Sequence, residues 1–357
     1  MKVSIGAYIK EGPWGGGNLF FENLRNYLNS KGHRVINHLL DDDIDVILLT
    51  DPRQNSESSA FTDKEIIRYK NNININVKVV HRINECDERK QTEGLNEFIV
   101  AANACSDATV FVSQWIKDLY LDEGFHISDP HVIMSGSNEK IFNKKNSSVY
   151  SEDKKMSIVT HHWSGNWNKG FDIYEKLDSL LDNKEYSEQF EFKYIGNLPD
   201  NFYFKNSGVI NPLSGLELAT ELKKSHIYLT GSLNEPSGNH HIEGALCGLP
   251  ILYIESGALP EYCDNFGVSF VKDNFPEKLI EIKNSYKILK SNLNNYSFKS
   301  DIMCSEYEEL FMKILNEKLE LKYIKNKKSF IERTVLKTKN LIILNFYNLL
   351  KKNKLWK

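Results

Sequence analysis

Residues 230–250 read TGSLNEPSGNHHIEGALCGLP. The run parses as a strand end, a loop, one helix and a stop. Ile227, Tyr228, Leu229 and Thr230 lead into it and are residues that suit a buried strand. Pro236 and Gly238 break the chain, and Ser237 or Asn239 stands where a helix cap would bind the first free backbone N–H groups. Gly248 and Pro250 stop the helix after Cys247. A helix N-terminus just past the C-terminal edge of a strand is an anion site, and open α/β sheets bind their ligands at that edge.

Two carboxylates bracket this anion site. Glu235 lies in the loop before the helix, and Glu243 projects from about one turn into it. Carboxylates bind phosphate poorly but accept hydrogen bonds well from sugar hydroxyls. The group that fits is a sugar–diphosphate–nucleoside, with a sugar at one end, a ribose at the other and the diphosphate on the helix. The plain alternative is a solvated Glu235 and a surface Glu243. Pro236, the glycines and the pair His240–His241 at the helix start weigh against it.

The stretch resembles the E-x7-E signature of retaining nucleotide-sugar glycosyltransferases of the GT-B fold, family four, also called glycosyl transferases group 1. Glu235, Glu243–Gly244–Ala245 and Gly248–Leu249–Pro250 carry the match. The resemblance implies that Glu235 contacts the donor sugar near the reacting carbon and that Glu243 binds the ribose hydroxyls. Ser237, Gly238 and Asn239 then receive the diphosphate at the helix start.

Further matches occur in order along the chain. Lys2–Ile9 reads as a strand, Gly12–Gly17 (GPWGGG) as a glycine loop and residues 18–30 as a helix ending at Gly32. This plan lets backbone approach a phosphate closely. It resembles the family's N-terminal double glycine, with Gly15 and Gly16 in the matching places. A strand over Val77–Arg82 ends in a polar cluster. The resemblance implies that His81 contacts the donor sugar's outer hydroxyls and belongs with Glu235 in the catalytic set. Glu85, Asp87 and Arg89 stay open between acceptor hydroxyls and a salt-bridge network. The loop HWSGNWNK (162–169) carries Lys169, which matches the family's phosphate-binding lysine, while Ser164 stands where the family has an arginine. Val132–Phe142 resembles the passage between domains, residues 143–155 read as a linker, and Gly257–Glu261 resembles the family's Gly-x-x-Pro-Glu.

Strands alternate with helices throughout, which implies parallel sheets. The expected fold class is α/β: two Rossmann-like domains, 1–150 and 151–305, facing across a cleft, with a basic helical extension over 306–357. The implied activity is transfer of a sugar, with retention, from a nucleotide-sugar donor to a hydroxyl of a glycan or lipid-linked glycan, as in assembly of bacterial surface polysaccharide or glycolipid. No cofactor and no metal is expected. His161–His162 and His240–His241 are adjacent pairs without the spacing of a zinc site. A nucleotide-sugar epimerase or a phosphorylase on the same architecture, and a non-catalytic nucleotide-sugar-binding scaffold, stay open.

The chain has 357 residues, 41% apolar and 26% charged, enough for two cores. Five cysteines without close pairs fit reduced thiols and a cytoplasmic location. Net charge is −3, but unevenly placed. From Leu321 to Lys357 there are eleven basic residues against Glu332 alone, so the tail carries +10 and the remainder −13, from 34 bases and 47 acids. No nucleic-acid recognition motif accompanies that tail. Its Leu341–Leu344, Phe346, Tyr347, Leu349 and Leu350 are followed by Lys351, Lys352, Lys354 and Trp356. This pattern suits an anionic membrane surface, here the cytoplasmic face of the inner membrane, and the run is too short to span it. The alternative is a helix packed on the body with solvated lysines. Full-length protein is expected to co-sediment with anionic vesicles and to release at high salt, while a chain ending at Glu320 is not. Equal sedimentation of the two would remove the tail from any membrane role.

Overall fold

The computed structural model describes residues 1–9 and 16–316; Gly15 and the basic tail lie outside them. The N-terminal half contains β1 (Lys2–Ile5), α1 (Gly16–Ser30), β2 (Arg34–Ile36), β3 (Val46–Leu49), α2 (Asp63–Asn72) and β4 (Lys78–Ile83). It continues with α3 (Asp87–Lys90), α4 (Leu95–Asn103), β5 (Ala108–Phe111), α5 (Gln114–Asp122) and β6 (Pro130–Val132). Its six strands pair in parallel in the order β2-β1-β3-β4-β5-β6. The central strands are apolar runs such as Val46–Leu49, buried on both faces, as a parallel sheet covered by helices requires. Helix α1 turns Phe20, Phe21, Leu24 and Leu28 onto the sheet. Helix α2 opens with a capping box in which Glu65 accepts the Thr62 backbone N–H at 2.8 Å. Ser113 caps α5.

The C-terminal half contains β7 (Met156–His162), α6 (Phe171–Leu180), α7 (Lys184–Ser187), β8 (Phe190–Gly196), β9 (Gly208–Ile210) and α8 (Gly215–Leu222). Then come β10 (Ile227–Thr230), α9 (Asn239–Leu246), β11 (Ile251–Ile254), α10 (Leu259–Cys263), β12 (Gly267–Phe270) and α11 (Phe275–Asn292). Its sheet, also parallel, runs β12-β11-β10-β7-β8-β9. In each half the chain first builds outward on one side and then returns to the other. The reversals lie between β1 and β3 and between β7 and β10. A crevice forms at such points, outside the C-terminal ends of the strands.

Helix α9 differs from expectation at its start. Neither Ser237 nor Asn239 is the cap; Gly238 is, with φ 77°. A side chain there would enter a left-handed backbone and crowd Glu235 and His240, so conformation outweighs the capping hydroxyl. The C-terminal end is as expected. Gly248 (φ 86°) donates to the Ala245 carbonyl and Leu249 to that of Gly244. Gly244 packs directly on the Tyr228 ring, which seats α9 close over β10.

The halves are joined twice. Residues 135–138 cross in one direction, and α12 (Ser300–Asn316) crosses back. The crossings run side by side, with Ser137 bridged to Lys299 and Ser300 N donating to Ser137 O at 2.8 Å. Helix α12 runs through the expected division at residue 305. Its Met303, Tyr307, Leu310, Phe311 and Ile314 join the N-terminal core beside α1. Tyr27 and His33 both bond Glu308, at 3.1 and 2.7 Å.

Candidate functional site

The two strand edges face each other across a cleft of about 770 Å³, within the range of small-molecule sites, about 300–1,000 Å³. From the C-terminal half come His161 and His162 at the end of β7, Ser164 and Lys169 in the following loop, the loop after β10 with Glu235, and the start of α9. Gly170 and Gly231 lie against one another, which brings the Lys169 loop onto the Glu235 loop. From the N-terminal half come Gly16, His81, Arg82 and Arg89. Gly16 faces Asn239: a Cβ on Gly16 would sit 3.2 Å from the Asn239 side chain. The N-terminal ends of α1 and α9 therefore converge, and both bring positive dipole ends to the same space.

Glu235 is buried at 7% exposure, with cations from both halves on one oxygen. Its Oε2 accepts from Arg89 Nη2 at 2.8 Å, Ser232 Oγ at 2.8 Å and Lys169 Nζ at 3.4 Å. Burial pushes this carboxyl up, but Lys169 and Arg89 outweigh burial and hold it well below the usual carboxylate range. Burial lowers Lys169 and Glu235 opposes that shift. Arg89 also donates to the carbonyls of Leu233 (2.7 Å) and Asn168 (3.3 Å). Asn168 Nδ2 returns a bond to Arg89 O, and Asn234 Nδ2 one to Glu88 O. Of the two openings left for Arg89, it takes the salt bridge, and that bridge spans the domains.

Glu243 is also buried and lines the cleft. Its Oε2 lies 2.9 Å from His161 Nε2, and His161 Nδ1 lies 3.1 Å from the Tyr228 hydroxyl, a pattern that fits a His161 ring proton on Nε2. His81, on β4, accepts from Asn103 Nδ2 through Nδ1 at 3.1 Å, which leaves its Nε2–H as a donor. Ser164 accepts the Asn166 N–H at 3.2 Å and lies half-buried at the cleft wall. Ser237, Gly238 and Asn239 line the cleft, and Gly15 falls outside the described residues.

Two histidine pairs that neighbour geometry separates are brought together by the fold. The ring centroids of His162 and His240 are 4.7 Å apart. His162 Nε2 is 2.6 Å from Tyr174 OH and His240 Nε2 is 3.0 Å from Thr230 Oγ1. His241 packs edge-on to Tyr262, with neither ring nitrogen partnered among the described residues. The signal for this cluster was the position of both pairs at the ends of strand–loop units. Among the described residues no group of three His, Cys, Asp or Glu is placed to hold a metal ion. Asp41–Asp45 contains Asp-x-Asp spacing, but it lies at the opposite end of the sheet, where Asp41 and Asp43 pair with Lys2.

No protein-family model matches the chain, and no curated protein sequence does. Solved structures do. The Anabaena protein HepE in complex with UDP superposes with a TM-score of 0.64 at 12% identity, over 87% of this chain and 99% of that one. A glycosyltransferase from Rickettsia africae gives 0.62 at 15%, over 88% and 98%. Sucrose-phosphate synthase from Thermosynechococcus elongatus gives 0.60 at 12%, over 88% and 98%. The chain has the GT-B fold. Its cleft lies between the two halves of that fold, and Glu235, Lys169 and Arg89 meet there.

The buried histidines set an acid limit on the GT-B body. Burial pulls His81 and His241 down to about 3 and holds His162 and His240 well below their ordinary value. The unfolded chain takes up protons near pH 6.5, at the ordinary histidine value of about 6.5, and the folded chain does not. Stability is therefore full above that pH and falls on acidification, by up to about 1.4 kcal/mol per pH unit for each such histidine. The urea midpoint is expected to be lower at pH 5 than at pH 7; equal midpoints would contradict the neutral cluster.

Proposed function

We propose that this chain is a retaining glycosyltransferase that moves a sugar from a nucleotide-sugar donor to a hydroxyl of a glycan or lipid-linked glycan. The observation that carries the reading is the ionised Glu235, held against Lys169 beside the start of α9 in the cleft. A neutral apolar ligand would find no use for that arrangement. A sugar–diphosphate uses all of it: hydroxyls on the carboxylates, phosphates on the cation and the helix N–H groups.

In this reading the bond from the anomeric carbon to the diphosphate breaks, and its electron pair leaves with the phosphate. Lys169 and the N–H groups at the α9 start stabilise the growing negative charge. Glu235 holds the sugar and favours the positive charge that develops at its ring. Glu243 and His161 hold the ribose, and the Nε2–H of His81 donates to a sugar oxygen. The acceptor oxygen bonds the carbon on the face the phosphate leaves, giving retention, and its proton passes to the departing phosphate oxygen. Arg89, arriving from the opposite domain, adds a second cation on Glu235 beside Lys169, whereas Ser164 offers none. Uridine nucleotides are the first donors to try, since several similar structures hold UDP.

Calorimetry with nucleoside diphosphates and NMR of products from a panel of nucleotide sugars test the proposal. Wild type is expected to bind a nucleoside diphosphate and to make a product with the donor's anomeric configuration, with activity that survives EDTA. Glu243→Gln should weaken diphosphate binding about tenfold. Glu235→Gln should spare that binding and lower kcat on the order of a hundredfold. Free epimer formed without acceptor, or no nucleotide bound at all, would overturn the reading.

A further inference from the structure

Arg82 is a buried cation with no ion-pair partner among the described residues. It sits on β4 beside His81 but on the opposite face of the sheet, towards α1 and α12. It is 5% exposed, and its guanidinium lies over the Phe20 ring, 4.1 Å from the centroid. Among the described residues it makes no ion pair; the neutral Tyr307 hydroxyl lies beside it, and its Nε is fully buried without a partner. The nearby acid Glu85 is held by Arg53 at 3.0 Å and Lys90 at 2.9 Å. The Ser137 Oγ, on the passage between domains, is also buried without a partner, and Tyr307, whose ring is 5.2 Å from that of Phe20, packs behind Arg82 in the core. Arg82 and Ser137 both line the cleft.

A buried charge with no counter-ion is costly, and a ring face offsets only part of that cost. The cost falls away when an anion arrives. The guanidinium fork matches a carboxylate or a phosphate, and its open N–H groups are the donors such a group needs. The donor's diphosphate is already provided for on the other sheet by Lys169 and α9. We infer that Arg82 binds an anionic group of the acceptor, a sugar carboxylate or a sugar phosphate, at the base of the N-terminal side of the cleft. The unpartnered Ser137 hydroxyl on the cleft lining is a further donor available to such a group. The word acceptor rests on the transferase reading; the anion site itself rests on Arg82 alone.

Calorimetry on the full chain with glucuronate and glucose 6-phosphate, and glucose as the neutral control, tests the inference. At least one anionic sugar is expected to bind clearly tighter than glucose, and which of the two prevails tells carboxylate from phosphate. Arg82→Met should weaken that binding about tenfold or more while leaving nucleoside diphosphate binding unchanged. Without ligand, its Tm should be no lower than that of wild type, because an unanswered buried charge has been replaced by an apolar chain of similar length. Arg82→Lys, a second variant that keeps the charge but loses the fork, should bind the anionic sugar more weakly than wild type. Lys169→Ala should keep anionic-sugar binding. Equal binding of glucose and both anionic sugars, or unchanged anion binding in Arg82→Met, would overturn the inference and make Arg82 a structural cation. If Arg82-dependent anion binding is seen but no nucleotide binds, the transferase reading fails and the site stands. Nucleotide binding without Arg82-dependent anion binding is the reverse.

Discussion

The buried carboxylate of Glu235 depends on two cations that come from different domains. Lys169 belongs to its own sheet, whereas Arg89 reaches over from α3. A carboxylate at 7% exposure without those partners would take up a proton or seek water. With them it stays charged and fixed. Removing either partner from such a pair leaves an unanswered buried charge, worth about 3–5 kcal/mol. The loop that carries Glu235 is held from behind as well. Gly257 packs against the Glu235 backbone, and Ala258 N donates to Glu235 O at 2.9 Å.

The same contact ties the halves of the molecule together. Arg89 reaches three groups on the opposite domain, and two returning side-chain amides complete a latch around it. A second interdomain contact lies further along: Glu261 accepts the first N–H groups of α5, from Gln114 and Trp115, at 2.7 and 2.5 Å. Tyr262 donates to Val112 O and accepts from Ser135 N. The two halves are therefore held together beside the cleft, with the floor on its C-terminal side lined by the neutral imidazoles of His162 and His240 and its charges confined to named places. Low local dielectric strengthens each of those charges.

Much of this architecture was legible in the residues, because its elements follow local rules. Apolar runs such as Val46–Leu49 and Ile251–Ile254 became buried strands, and Thr62 with Glu65 became the capping box of α2. The short edge strands β6, β9 and β12 escaped. β9 leaves Val209 46% exposed, so it shows no buried run. The α9 cap was misread because residue preference favours Ser and Asn, while the turn demanded a left-handed backbone that glycine supplies. The apolar face of α12 is present in the sequence, but which core it joins is a property of tertiary structure. The partnership of Arg89 with Glu235 spans 146 positions. No spacing rule reaches that far, and the lack of a counter-ion for Arg82 among the described residues is likewise a fact of packing alone.

The central claim is that an arginine from one domain and a glutamate from the other act as one unit in the proposed donor site. A double-mutant cycle on kcat/KM tests it most directly, using Arg89→Ala, Glu235→Gln and the two combined. The account predicts strong coupling, with the double variant hardly slower than Glu235→Gln alone. Effects that simply add, within about 0.5 kcal/mol, would contradict it.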